Sequence, residues 1–197
     1  MKMMRISCDK VHFLGVGQEV SKEDWRRLRF NMWEENLKNG TIERLCEQAN
    51  AKQVYGFLSC EHTEHGDILY YRIACEDRNV KEGDTSNSQE AIKAATESEN
   101  NTKKGDVEEF CLTPNTYMVF QTSGNFREEQ EKITSDVLKE ALCDYIPGSG
   151  YLAKLDVDSM EFEDGAMLVE KFRSFGGAES GPEELEVWIP VQKENVL

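Results

Sequence analysis

Two stretches of this chain carry the same succession of hydrophobic periods, and that repetition limits the folds open to it. Val11 to Val20 alternates at period two, with Val11, Phe13 and Gly15 on one face and His12, Leu14 and Val16 on the other. Ser21 has Asp24 three residues on, a capping-type helix start. Trp25, Leu28, Met32, Trp33 and Leu37 follow at helical spacing, and Asn39-Gly40 ends the element. Thr41 can cap a short helix carrying Ile42, Leu45 and Cys46. Strands are predicted over Val54 to Cys60 and Ile68 to Glu76, joined by a polar turn at His65-Gly66-Asp67.

The second stretch opens with Val107 to Leu112, a turn at Thr113-Pro114-Asn115 and a strand over Thr116 to Thr122. A helix follows, with Phe126, Ile133, Val137, Ala141 and Tyr145 in one stripe widened by Leu138 and Leu142. Pro147-Gly148-Ser149-Gly150 stops it. Two more strands are predicted, around Met160 to Glu163 and over Glu184 to Val191, separated by the Gly-rich loop Phe175 to Gly181.

Strand, helix, strand, strand therefore occurs twice, over residues 3 to 76 and 107 to 192. A helix can shield only one face of its small sheet, so two such units side by side make one broad sheet. The predicted fold class is α+β: duplicated strand–helix–strand–strand units form an antiparallel sheet, with helices on one face and a central ligand cleft. The whole chain, 1 to 197, is expected to be a single domain. Residues 79 to 106 lack any aromatic residue and are rich in Ser, Thr, Asn, Glu and Lys, so they are expected to be a mobile surface insertion. A lid over a pocket is the alternative reading.

The last strand holds the most unusual chemistry. Leu185, Val187 and Ile189 alternate with Glu184, Glu186 and Trp188, so the first set makes a core face packing on helices. The second sets a carboxylate beside an indole. Burying a carboxylate is costly unless something pairs with it, and a cation held over aromatic faces supplies that pairing. The plain alternative is a solvated Glu186 on an open sheet face. By the symmetry of the two halves, the strand holding Tyr71 is equivalent to the last strand, which would place Tyr71 and Glu186 across one cavity.

Other clusters point to less. With 23 basic against 38 acidic residues the net charge is −15, which repels phosphate backbones, so no direct nucleic-acid binding is expected. No signal peptide and no membrane-spanning apolar run is found, and the chain is read as cytoplasmic with no membrane partner. Cys8, Cys46, Cys60, Cys75, Cys111 and Cys143 show no C-x-x-C spacing, so neither a disulfide framework nor a zinc site is expected. His62-Thr63-Glu64-His65 offers two imidazoles in a turn, with no cysteine or carboxylate cluster fixed around it, and is not predicted to hold a metal. No cofactor is called for.

Several segments in order resemble the GyrI-like family, the bacterial transcription-regulator effector-binding domains. They are Asn31 to Gly40, Val54-Tyr55-Gly56, Tyr70 to Glu76, Leu112 to Phe120, Tyr145 to Tyr151, and Glu186-Val187-Trp188-Ile189-Pro190-Val191. The resemblance implies a cleft that binds small amphipathic organic molecules, cationic ones among them. It implies Glu186 at the floor, with Trp188, Tyr71, Trp33, Tyr55 and Phe120 around it. Regulators of this family carry a helix-turn-helix module before the domain, whereas here the first strand begins almost at Met1. A binding protein is the leading expectation. A hydrolase of strained electrophilic small molecules, with Glu186 as general acid or water-orienting base and Tyr71 as hydroxyl donor, is the second. A gyrase-inhibitor-like antagonist, with DNA gyrase or a separate regulator as protein partner, is the third.

Overall fold

The computed structural model describes residues 1–64, 66–80, 106–123, 134–156, 159–172 and 184–194. In chain order the elements are β1 (Lys2–Cys8), β2 (Val11–Val20), α1 (Trp25–Lys38), α2 (Thr41–Gln48), β3 (Val54–Thr63), β4 (Gly66–Glu76), β5 (Glu108–Leu112) and β6 (Asn115–Ser123). Helix α3, residues 134–140, widens into a π turn over Ala141–Tyr145. Then come β7 (Tyr151–Ala153), β8 (Leu155–Asp156), β9 (Glu161–Phe162), β10 (Met167–Phe172) and β11 (Glu184–Lys193). The expected insertion and the first turns of the second helix fall largely outside the described residues.

The fold is α+β; among the described residues one nine-stranded sheet runs in the order β1-β6-β11-β10-β3-β4-β2-β5, with β7 added beside β11. All of its pairings are antiparallel. The order is symmetric about the β3–β10 junction: β4 matches β11, β2 matches β6, and β5 matches β1. β1, β7, β8 and β10 lie outside the expected set. β1 precedes the strand predicted first; most of its residues are exposed, so no burial pattern announces it. Within the sheet β11 lies between β6 and β10, whereas Glu161–Phe162 pairs with β8 in a separate two-stranded ribbon.

The sheet cannot be flat. β1 and β2 lie six strand spacings apart along the sheet path, roughly 29 Å at about 4.8 Å per spacing. Only Asp9 and Lys10 separate Cys8 from Val11, a link that spans at most about 11 Å. The two ends therefore curl toward each other. Ile6 and Cys8 from one end and Val11 and Phe13 from the other meet in one apolar cluster with Tyr55, Phe57, Tyr117 and Trp188.

The opposite, convex face carries the helices and the larger core. Leu185, Val187 and Ile189 lie there as predicted, with Phe120, Tyr71, Ile73, Trp25, Trp33 and Val137. Helix α1 ends at Asn39, and Gly40 takes φ +73°, the left-handed conformation that glycine adopts without strain. That turn directs α2 back over the sheet, where Ile42 and Leu45 are buried.

Candidate functional site

Two buried carboxylates lie on opposite faces of the sheet, each with its own cation. The row of paired residues Glu186, Lys171, Tyr55 crosses β11, β10 and β3 on the concave face. The row Val187, Glu170, Gly56 beside it faces the helices. This parity separates the six residues expected to share a cleft. Glu186, Trp188 and Tyr55 are concave; Tyr71, Trp33 and Phe120 are convex. The expectation that Tyr71 and Glu186 oppose each other across one cavity is therefore corrected. Equivalence of two strands under a pseudo-twofold fixes their places in the sheet, but the side each residue takes depends on register.

On the concave face the predicted acid–indole neighbours do interact. Glu186 is 4% exposed, accepts the Trp188 indole N–H at 3.0 Å and accepts the Gln121 amide at 2.9 Å. Its cation comes from within: Lys171 Nζ lies 3.9 Å from the carboxylate and over the rings of Trp188 and Tyr55, at 5.3 and 5.7 Å from their centroids. Phe13, Tyr55 and Phe57 continue the aromatic wall, with centroids 4.7–5.9 Å apart. Burial foremost, then the charges of Glu76 and Glu186, push the Tyr55 phenol well above its usual value.

On the convex face the acid is Glu170, 2% exposed, in the middle of β10. One carboxylate oxygen accepts from the guanidinium of Arg29, itself 1% exposed, and from the Thr134 hydroxyl at 2.8 Å. The other accepts the Tyr71 hydroxyl at 2.7 Å, and that hydroxyl accepts the Trp33 indole N–H at 2.8 Å. Burial first, then the negative charge of Glu170, raise the Tyr71 phenol well above its ordinary range, so it stays a donor. Arg29 also lies 5.9 Å from the Trp25 ring, and Trp33 meets Phe172 edge-on at 4.5 Å. Helix α1 thus contributes Trp25, Arg29 and Trp33 at four-residue spacing along one side.

Gly56 makes the convex cluster sterically feasible. It sits in β3, between the strands of Tyr71 and Glu170, and a Cβ there would lie 2.1 Å from the Tyr71 hydroxyl oxygen. The missing side chain lets the phenol reach across β3 to the acid. Sequence reasoning overlooked Glu170, Arg29, Thr134 and Gly56. Two signals were present: a lone acid within the apolar run Met167 to Phe172, and an arginine in line with Trp25 and Trp33.

No protein-family model and no curated protein matches this chain. Solved structures do. SAV2435, bound to tetraphenylphosphonium, superposes with a TM-score of 0.59 at 15% identity over 98% of this chain and 94% of that one. A Staphylococcus aureus MU50 protein named for bacterial transcription regulation gives 0.60 at 16% identity, over 98% and 99%. An integron cassette protein from the Vibrio cholerae mobile metagenome gives 0.54 at 13%, over 96% and 95%. At these identities the likeness is one of fold.

Proposed function

We propose that this chain is a GyrI-like binding protein for small amphipathic organic molecules, and that Glu170, rather than Glu186, is the acidic anchor of its site. The observation that carries this reading is the buried Glu170 cluster on the helix-covered face. A buried ion pair is a poor stabiliser, and well-packed apolar residues in its place are often neutral or better. Five polar side chains (Arg29, Trp33, Tyr71, Thr134 and Glu170) at the centre of an aromatic core therefore suit recognition better than stability. Trp25, Trp33, Phe120 and Phe172 would supply apolar burial, and Glu170 would hold a positive or hydrogen-donating group. Such a group competes with Arg29 for the carboxylate. The fold likeness to SAV2435, whose bound molecule is an aromatic cation, supports the same ligand class.

A thermal-shift titration tests it. Tetraphenylphosphonium should raise the melting temperature saturably, and the neutral triphenylphosphine oxide should do so less. No shift with either compound at millimolar concentration contradicts the proposal.

The hydrogen bond between Tyr71 and Glu170 favours a second reading, a hydrolase of strained electrophiles. The acid of the acid–phenol pair would then be Glu170, because Glu186 lies on the other face. More than one product released per protein molecule from a strained-ring electrophile supports it; saturable binding without product rejects it.

A further inference from the structure

We propose a metal site at the end of the β3–β4 hairpin, where Cys60, His62 and Asp67 would bind a divalent ion of borderline softness, Zn(II) foremost. The pattern is set by the strand geometry. Cys60 and His62 are two apart in β3 and share one side of the sheet, and His62 pairs directly with Asp67 in β4. The Cys60 sulfur, one His62 ring nitrogen and one Asp67 carboxylate oxygen all lie within 4.8 Å of one another. His62 Nδ1 and the Asp67 carboxylate are already 2.8 Å apart. A tetrahedral ion with bonds of about 2.0–2.3 Å needs ligand atoms roughly 3.3–3.8 Å apart, a spacing between the 2.8 Å contact and the 4.8 Å limit found here.

The ligand chemistry is coherent. One thiolate, one imidazole and one carboxylate suit zinc and its cobalt analogue better than the all-oxygen ions calcium and magnesium. Three protein ligands leave a fourth position for water, because His62 and Asp67 stand at the exposed end of the hairpin while Cys60 is half-buried. Binding releases the thiol proton of Cys60, with no change of oxidation state at sulfur or metal.

Spacing along the chain, from His62 to His65, does not announce this cluster. The ligands come from across the hairpin.

The test is a titration of untagged, metal-free protein with Co(II), followed by displacement with Zn(II). One equivalent should bind, with a thiolate-to-cobalt band in the near ultraviolet that Zn(II) abolishes. Cys60→Ser should remove that band, and His62→Gln and Asp67→Asn should each weaken binding by at least about tenfold. Cys143→Ser, which changes an exposed cysteine elsewhere, should leave the titration unchanged. A band that survives Cys60→Ser, or no band in the wild type, overturns the proposal. Because His62 is exposed, His62→Gln keeps the test decisive should Cys60→Ser fold poorly.

Discussion

Gly56 and Tyr71 are neighbours across two paired strands, and the glycine's bare Cα provides the space that the phenol crosses to reach Glu170. A methyl group at position 56 would fall 2.1 Å from the hydroxyl oxygen and 3.1 Å from Glu170 Oε2. Gly56→Ala is therefore expected to break the hydrogen bond and destabilise the fold by about 1–3 kcal/mol, the usual cost of overpacking. Denaturant unfolding measures it. The Tyr71→Phe variant, lacking the hydroxyl, should lose less on the added Gly56→Ala change.

Arg29 neutralises Glu170 inside the core, so its removal has two opposed consequences. Arg29→Met leaves a buried carboxylate without its cation and should cost about 3–5 kcal/mol of stability. The same change removes the internal competitor for that charge. Affinity for tetraphenylphosphonium should accordingly rise while the melting temperature of the free protein falls, as paired calorimetric and thermal measurements would show.

Glu186 and Lys171 form the corresponding couple on the concave face. A double-mutant cycle with Glu186→Gln and Lys171→Met should return a coupling of about 0.5–3 kcal/mol, since the lysine lies 3.9 Å from the carboxylate and over the Trp188 ring whose N–H donates to it. Additive effects within experimental error would show that the lysine is not held by the acid.

The expected fold was legible because periodicity reports burial. The alternation of Leu185, Val187 and Ile189 placed the last strand correctly, and the run from Trp25 to Leu37 placed α1. Of the proposed Glu170 cluster, Trp33 and Tyr71 are candidates in the sequence, and the acid and Arg29 are not. Glu186 and Trp188 do touch, as their two-residue spacing in a strand required. Which face Tyr71 takes follows from its pairing with Leu58, a tertiary fact that no local pattern carries. Glu170 is hidden for a related reason: β10 is largely buried on both faces and carries Glu170 and Lys171 side by side, so it shows no alternation and the acid gives no hint of what it meets.

His62 gives a prediction in pH. The hydrogen bond and charge of Asp67 hold its imidazole above the usual value near 6.5. A raised folded-state value means that this pairing stabilises the hairpin fully below the unfolded histidine's pKa and is lost as pH rises through the raised value. The nuclear magnetic resonance titration of His62 should be displaced upward in the metal-free wild type and move back down in Asp67→Asn. An unchanged titration in the variant would remove Asp67 as the cause.

The account's central claim is that Glu170 supplies the charge a ligand feels. Calorimetric titration of tetraphenylphosphonium into Arg29→Met and into the double variant Arg29→Met with Glu170→Gln isolates that charge, because neither leaves a guanidinium buried beside a neutral amide. Loss of affinity by about tenfold or more in the double variant, with Glu186→Gln changing the wild-type affinity less than about twofold, is the predicted result. Equal affinities for the first pair, or a large loss from Glu186→Gln instead, would contradict it.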